Sequence, residues 1–173
     1  MWLIYLIYLV GGVFIVFGFI AMVAGPKGRG VPYVPTGKKK VQLMVELANM
    51  HAGEKMADLG SGDGRILIAF ARKGIEVHGY ELNPVLALWT WLRIRFLGLQ
   101  HIAHIHMGSF WHEDLSRFNV ITVFGLPPMM VNLEEKLRRE LKTGSRVFSN
   151  TFYFPTWKRD KEEGGISVYT VVR

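Results

Sequence analysis

A glycine-rich turn between two apolar runs constrains this chain more than any other feature of its sequence. The turn, Gly60–Gly64, follows an apolar run ending in Asp58 that is typical of a buried strand, and segment 66–71 after it predicts a helix. Glycines at alternate positions permit positive φ and let a ligand approach the backbone. The amides at the start of the following helix favour a carboxylate or phosphate. The arrangement therefore predicts a ligand site, and a turn that needs glycines only for packing is the alternative.

The residues around this turn distinguish two classes of ligand. The dinucleotide fingerprint requires G-x-G-x-x-G, but Arg65 occupies the place of its third glycine. The observed pattern D-x-G-x-G-x-G, which begins at Asp58, resembles motif I of the class I S-adenosylmethionine (SAM) methyltransferases. Such a site needs a second acid at the end of the next strand to bind ribose, and Glu81 lies about 20 residues further on. The two acids together favour a cofactor site.

The amino-terminal segment, residues 1–25, contains no charged side chain and is almost entirely apolar. A helix of about 24 residues would be roughly 36 Å long, enough to cross a bilayer. A signal peptide would begin with basic residues and have a shorter apolar core, and a buried core helix would show a polar face. We therefore predict a transmembrane anchor over residues 1–25.

Basic residues follow this segment, at Lys27, Arg29 and 38–40, within a chain of formal net charge +7. The positive-inside rule then predicts a single-pass membrane protein whose folded domain lies in the cytoplasm. The same residues suit anionic headgroups, although solvated charges would look the same. The chain contains no cysteine, which excludes disulfides and thiolate metal sites.

Residues 26–37 form a linker that is rich in proline and glycine. Tyr33 and Thr36 are unusual residues for a tether, so the linker is either a lid over the glycine turn or a simple spacer. We expect Thr36 to cap a following helix. Residues 38–173 then form the methyltransferase domain.

Strands alternate with helices through the rest of the chain, which predicts an α/β, doubly wound and mostly parallel sheet. Because the chain stops at Arg173, we expect a sheet with a reduced number of strands and an antiparallel last strand. One predicted strand, 119–125, ends at Pro127 and Pro128. We interpret the two prolines as a rigid, non-helical edge whose carbonyls accept hydrogen bonds from an amine. The alternative is a loop that starts the next helix.

Several histidines lie close together between His101 and His112, which is a pattern seen in metal sites. His104 and His106, however, alternate as the polar face of a strand would. No cysteine or H-E-x-x-H pattern accompanies them. We therefore predict a strand here and no metal site.

Five sequence blocks together are similar to one family. They are Pro32–Thr36, Asp58–Arg65, Gly79–Pro84, Val123–Met130 and Leu133–Leu137. In order and content they resemble the membrane-anchored protein-lysine methyltransferases of mitochondria, which modify the adenine nucleotide translocase and the c-subunit of ATP synthase. The resemblance covers nearly the whole chain. Its most specific parts are Pro-Tyr-Val-Pro-Thr and Phe-Gly-Leu-Pro-Pro-Met-Met.

The resemblance implies a Rossmann-like class I methyltransferase fold with SAM as the cofactor. It places the methionyl part of SAM against the glycine turn and the ribose hydroxyls on Glu81. The position beside the adenine amine, often acidic in the family, holds Ser109, and Phe110 can stack on the base. The full set of predicted cofactor-binding residues is Asp58, Gly60, Ser61, Gly62, Asp63, Gly64, Glu81, Leu82, Asn83, Ser109 and Phe110.

The function that we predict is methyl transfer from SAM to a lysine amine of a membrane or membrane-apposed protein. Tyr33, Thr36, Pro127 and Pro128 are the candidates for the substrate channel, and no residue is assigned as a general base. A small-molecule or lipid-quinone methyltransferase is the alternative enzyme. A non-catalytic SAM-fold module in membrane-protein assembly is the alternative outside enzymes. Nucleic acid is an unlikely substrate because the basic residues cluster beside the apolar segment.

Overall fold

The computed structural model describes residues 1, 2, 4–13 and 33–172, and the elements named below lie within these ranges. The helices are α1 (Lys38–Ala48), α2 (Arg65–Ala71), α3 (Pro84–Phe96) and α4 (Pro127–Glu140), with a 3₁₀ turn at Phe110–His112. The strands are β1 (Lys55–Leu59), β2 (Glu76–Glu81), β3 (Ala103–Met107), β4 (Val120–Val123), β5 (Arg146–Asn150), β6 (Lys161–Glu163) and β7 (Ile166–Thr170).

The seven strands form one sheet in the order β3-β2-β1-β4-β5-β7-β6. The first five are parallel, whereas β7 runs antiparallel to both β5 and β6. The predicted α/β class and the antiparallel last strand are confirmed. The predicted reduction in strand number is wrong, because the charged segment Lys161–Glu163 adds a short, exposed edge strand.

Both faces of the central strands are covered, which explains their nearly continuous apolar sequences. One face packs Leu59, Ile121 and Val147 against α4, and the other packs Met56, Val77 and Phe148 against α1, α2 and α3. All four residues of β4 are buried. The strand order changes direction between β1 and β4, because β2 and β3 follow on one side of β1 and β4 and β5 lie on the other. Parallel sheets bind ligands at the carboxyl ends of such neighbouring strands.

The amino-terminal residues differ from the predicted transmembrane helix. Residues 4–13 are helical, and a bilayer span needs about 20 consecutive apolar residues in a helix. Within the residues that the structure describes, we find no helix with the length and apolar character that a bilayer crossing requires. This finding overturns the predicted anchor over residues 1–25 and, with it, the predicted single-pass membrane localisation. Residues 14–25 of that predicted helix, and 26–32 of the predicted linker, lie outside the described residues.

Candidate active site

A cavity of about 420 Å³ opens where β1, β2 and β4 end. Most of the residues predicted for the cofactor and the substrate channel line it. They are Tyr33, Thr36, Asp58, Gly60, Ser61, Gly62, Asp63, Glu81, Leu82, Asn83, Phe110 and Pro128. Gly64, Ser109 and Pro127 are not among the lining residues. The cavity and the sequence motifs therefore coincide. The role of each of these residues stays a prediction.

The glycine turn forms the floor of the cavity. Its first two amides, of Gly60 and Ser61, both donate to the Tyr80 carbonyl, at 2.9 and 3.1 Å, which ties the turn to the end of β2. Gly60 and Gly62 have φ values of +84° and +55°, in the left-handed region that side chains with a Cβ rarely adopt. Glycine is therefore required here by backbone geometry as well as by the room that a ligand needs.

Glu81, the second acid of the predicted site, is the last residue of β2 and makes a hydrogen bond to the glycine turn. Its two carboxylate oxygens accept hydrogen bonds from the amides of Gly62 and Asn83, at 2.7 and 2.8 Å. Each carboxylate oxygen has a second lone pair, so two hydroxyl groups can still donate to this carboxylate. This geometry suits a ribose, and it makes Glu81 part of the structure of the turn.

Asp58 is buried beneath the turn, with one carboxylate oxygen paired and the other left without a partner. Oδ1 accepts a hydrogen bond from the Thr122 hydroxyl at 2.6 Å, and Oδ2 makes no hydrogen bond within the described part of the chain. Burial raises the pKa of Asp58 to about 7; the Thr122 hydrogen bond opposes this shift, and the nearby Glu81 charge adds to it. A cationic group entering the cavity would satisfy Oδ2, and SAM carries an ammonium group on its methionyl part. The site therefore fits this cofactor.

The affinity for SAM is expected to rise by about 8-fold between about pH 6 and about pH 7.5, because Asp58 must be ionised to receive an ammonium group. The sign follows from the raised pKa, which leaves Asp58 mostly protonated at the lower pH. Because the pKa of Asp58 is higher in the folded protein than in the unfolded chain, the free energy of unfolding should fall as the pH rises from about 4 to about 7. Calorimetric titration of SAM across this range measures the slope. The Asp58→Asn variant should flatten the slope, and an unchanged slope in that variant would contradict the assignment.

Residues 33–36 cover the glycine turn, and Arg65 fastens them there. The Arg65 guanidinium donates to the Thr36 carbonyl at 2.8 Å and to the Tyr33 hydroxyl at 3.3 Å. The Tyr33 ring lies so close to Gly62 that a Cβ on that glycine would approach it to 2.9 Å. Thr36 does not cap α1, because Gly37 holds the cap position. Its hydroxyl instead accepts a hydrogen bond from the Asn150 amide at 3.1 Å.

Asp63 anchors Arg65 from the turn itself. The carboxylate accepts two hydrogen bonds from the Arg65 guanidinium, at 2.8 and 2.9 Å, and pairs with Arg93 at 3.1 Å. Although burial opposes ionisation, the Arg65 hydrogen bonds and the two positive charges hold the pKa of Asp63 below its usual value. Asp63 therefore serves to fix the turn and its cover as one unit.

The double proline differs from its interpretation as a non-helical edge. Pro127 and Pro128 occupy the first turn of α4, where the missing N–H donors cost nothing and the fixed φ suits a helix. Only Pro128 lines the cavity. Ser109 caps the 3₁₀ turn by accepting a hydrogen bond from the Trp111 amide at 3.3 Å. That turn places the buried Phe110 in the cavity wall.

Three residues of the site were missed by the sequence-based predictions. Thr122 supports Asp58, Arg65 fastens the covering segment, and Asn150 lines the cavity at the end of β5. The only signal of Thr122 and Asn150 in the sequence is a polar residue within an apolar strand, and Arg65 is marked only by its place directly after the glycine turn. The contacts that bring them into the site, with Thr36 for Arg65 and Asn150 and with Asp58 for Thr122, span between 29 and 114 residues, and pairing over such distances is not visible in a single sequence.

Comparison with known proteins agrees with this geometry. The model of the ANTKMT methyltransferase domain family matches residues 58–161. The human lysine N-methyltransferase of the ATP synthase c-subunit is 38% identical over 134 residues, covering 78% of this chain and 57% of the human protein. A protein-lysine N-methyltransferase of Saccharolobus islandicus is 37% identical and covers 73% of this chain and 80% of its own. The chain spans less than two thirds of the length of the human relative.

A solved structure gives the fold and the cofactor. An RNA methyltransferase from Salinibacter ruber, in complex with S-adenosylhomocysteine, superposes with a TM-score of 0.74 at 31% identity. The match covers 80% of this chain and 94% of that one. The fold and the cavity thus define a class I methyltransferase that uses SAM. Within this class, the chain belongs to the ANTKMT methyltransferase domain family.

Proposed function

We propose that this protein transfers methyl groups from SAM to lysine side chains of a protein substrate. The observation that carries the proposal is the cavity, in which a cofactor turn with two buried acids adjoins an uncharged wall. The human, mouse and Saccharolobus islandicus relatives are named for lysine N-methylation, which supports a lysine as the acceptor. Two of the proteins for which those relatives are named, the ATP synthase c-subunit and the adenine nucleotide translocase, suggest a membrane-associated substrate here as well.

The proposed channel for the lysine runs between the covering segment and the end of β4. Tyr33 and Thr36 form one side, and Phe124 and Pro128 form the other. A narrow channel of this composition would strip water from an amine and align it with the reacting methyl group. Asn150 offers a neutral amide at the same wall, and in the structure its Oδ1 accepts a hydrogen bond from the Lys40 ammonium at 2.7 Å. The same oxygen accepts a hydrogen bond from the Thr151 hydroxyl at 3.1 Å, so an incoming amine would replace one of these two donors to be oriented by it.

Bound SAM supplies an electrophilic methyl group on its sulfonium. A lysine amine is protonated at neutral pH and must lose a proton before it can attack. Of the acids that line the cavity, Glu81 is committed to two backbone amides and Asp63 to two arginines. Asp58 lies beneath the glycine turn rather than along the channel. We therefore assign the deprotonation to solvent, before the amine enters the uncharged channel.

The experiment that tests this function uses SAM with a tritiated methyl group. The purified protein is incubated with membrane and soluble fractions of its source, and labelled proteins are hydrolysed to identify methyl-lysine. We expect label on lysine of a small number of proteins, and none with the Glu81→Ala variant. Label that ribonuclease removes, or label confined to lipid extracts, would overturn the assignment of lysine. Absence of any transfer by a protein that binds SAM would favour a non-catalytic module.

The same assay tests the covering segment. Replacing Arg65 by leucine removes its hydrogen bonds to Tyr33 and Thr36 and should release the segment from the glycine turn. We expect methyl transfer to fall by about 10-fold, as a channel that admits water and misaligns the amine would produce. Arg72→Leu, at an exposed site just after α2, is the matched control. Equal rates for the two variants would contradict the proposed channel.

A further inference from the structure

Glu76, His78 and His104 form a cluster far from the cavity along the sheet. Glu76 and His78 are two residues apart on β2, so their side chains leave the same face. His104 on β3 lies directly beside His78 in the parallel register. Glu76 begins β2, whereas the cavity opens where that strand ends. None of the three residues lines the cavity, although His106, beside the cluster, stacks on Tyr80 of the cavity wall.

The three side chains converge closely enough to share one ion. Nε2 of His78 lies 3.1 Å from Oε1 of Glu76, and one ligand atom from each of the three residues lies within 4.8 Å of the others. The ring centroids of His78 and His104 are 4.9 Å apart. In a tetrahedral zinc site with bonds of about 2.0–2.1 Å, neighbouring ligand atoms are about 3.3 Å apart. Small side-chain rotations would bring this set to that geometry.

A third histidine supports His78 from outside the cluster. Nε2 of His106 lies 3.0 Å from Nδ1 of His78, and the two rings stack with an angle of 2° between their planes. A histidine that binds a metal ion usually donates its other ring N–H to such a partner, which fixes its tautomer. The contact with His106 is therefore of the kind that orients a metal-binding imidazole.

We propose that Glu76, His78 and His104 bind a first-row divalent cation, with Zn²⁺ as the best match and with His106 positioning His78. Two imidazole nitrogens and one carboxylate oxygen make up a ligand set that zinc accepts with water in the fourth position. The site adds a binding function on the strand pair β2–β3, separate from methyl transfer. Neither histidine spacing nor strand pattern predicts it, because the carboxylate and one imidazole come from a neighbouring strand.

Lys55 on β1 competes with the ion for Glu76. Its ammonium donates to Oε1 of Glu76 at 2.9 Å, and its side chain is 43% exposed. A flexible, half-exposed lysine can swing into solvent when an ion arrives. Its positive charge nevertheless opposes a second cation at short range. Removing this charge should therefore strengthen metal binding, and this result would not be expected if ions bound elsewhere on the protein.

The test titrates Co²⁺ and Zn²⁺ into the tag-free full chain. We expect saturable binding at one site, a visible absorption band for Co²⁺, and a rise in the melting temperature with Zn²⁺. His104→Gln should weaken binding by about 100-fold and His106→Phe by about 10-fold. His101→Gln, an exposed histidine outside the cluster, should bind like the unmodified protein. Lys55→Met should bind more tightly.

Two results would overturn the proposal: no saturable binding by the unmodified protein, or equal affinity in His104→Gln. Weaker or unchanged binding in Lys55→Met would contradict the assignment of Glu76 as a ligand. The affinity for SAM serves as the check on folding, because the cluster lies outside the cavity. His104→Gln is expected to bind SAM normally while losing the metal ion, so a failure of one site is distinguished from a failure of the whole fold.

Discussion

Replacing Glu81 by alanine is expected to weaken SAM binding by at least about 100-fold and to abolish methyl transfer. Hydrogen bonds to a charged acceptor are worth about 1.5–3 kcal/mol each, and a ribose would make two of them with this carboxylate. A loss of about 3 kcal/mol corresponds to that factor in the dissociation constant. The variant also leaves the amides of Gly62 and Asn83 without their acceptor, so the turn loses its support from β2. Calorimetric titration measures the affinity.

Glu135→Ala is the matched control for this experiment. Glu135 lies on the exposed side of α4, and its 3.9 Å pair with Arg139 is the weak kind of surface interaction that contributes little. The affinity of the Glu135→Ala variant for SAM should equal that of the unmodified protein. Circular dichroism and the melting temperature establish that Glu81→Ala is folded. A folded Glu81→Ala protein with unchanged SAM affinity would remove Glu81 from the cofactor site.

The second large effect is expected at the end of the turn, from Gly64→Ala. Gly64 has a φ of +73°, and a Cβ there would collide with the side chain of Thr90. That threonine is buried and donates a hydrogen bond to the Gly62 carbonyl at 2.9 Å, so it has no room to withdraw. Left-handed backbone costs about 1–2 kcal/mol and overpacking about 1–3 kcal/mol. We therefore expect about 3 kcal/mol of destabilisation, or about 10 °C in melting temperature.

Gly74→Ala separates the two contributions. Gly74 has a similar φ of +80°, but nothing lies within 4 Å of a Cβ at that position. Only the backbone cost of about 1 kcal/mol should remain, with a correspondingly smaller fall in melting temperature. Thermal unfolding of the two variants side by side measures the difference. Equal shifts would show that contact with Thr90 does not limit the residue at position 64.

The cofactor motifs could be predicted because each is local in sequence. The glycine turn directly follows its strand, and Glu81 ends the next one, so spacing alone placed both at one edge of the sheet. The structure brings Asp58, the turn and Glu81 together in the cavity. The residues that complete the cavity could not be predicted in this way. Asn150 reaches the site from the end of β5, and Arg65, although it follows the turn, acts on residues 33–36, which precede the domain.

Composition and short patterns gave wrong predictions where the same residues fit two environments. The segment 1–25 was interpreted from its length, its apolar composition and the charges after it, whereas no helix among the described residues is long and apolar enough for a bilayer span. The two prolines before α4 suit a helix start as well as a rigid loop. Strand β6 has three charged, exposed residues, so its sequence carries no sign of pairing. It forms because β7 offers an open edge.

The contact between Tyr33 and Gly62 has a consequence for the timing of the reaction. The floor of the cavity belongs to the sheet, but its cover comes from residues that precede the first helix of the domain. On the covered side, SAM can bind only before Tyr33 contacts the turn. The demethylated cofactor can leave on that side only after this contact breaks. We expect the Arg65 tether to lengthen the time for which the cofactor stays bound. We expect a force on the chain ahead of Tyr33 to shorten the residence time of the cofactor.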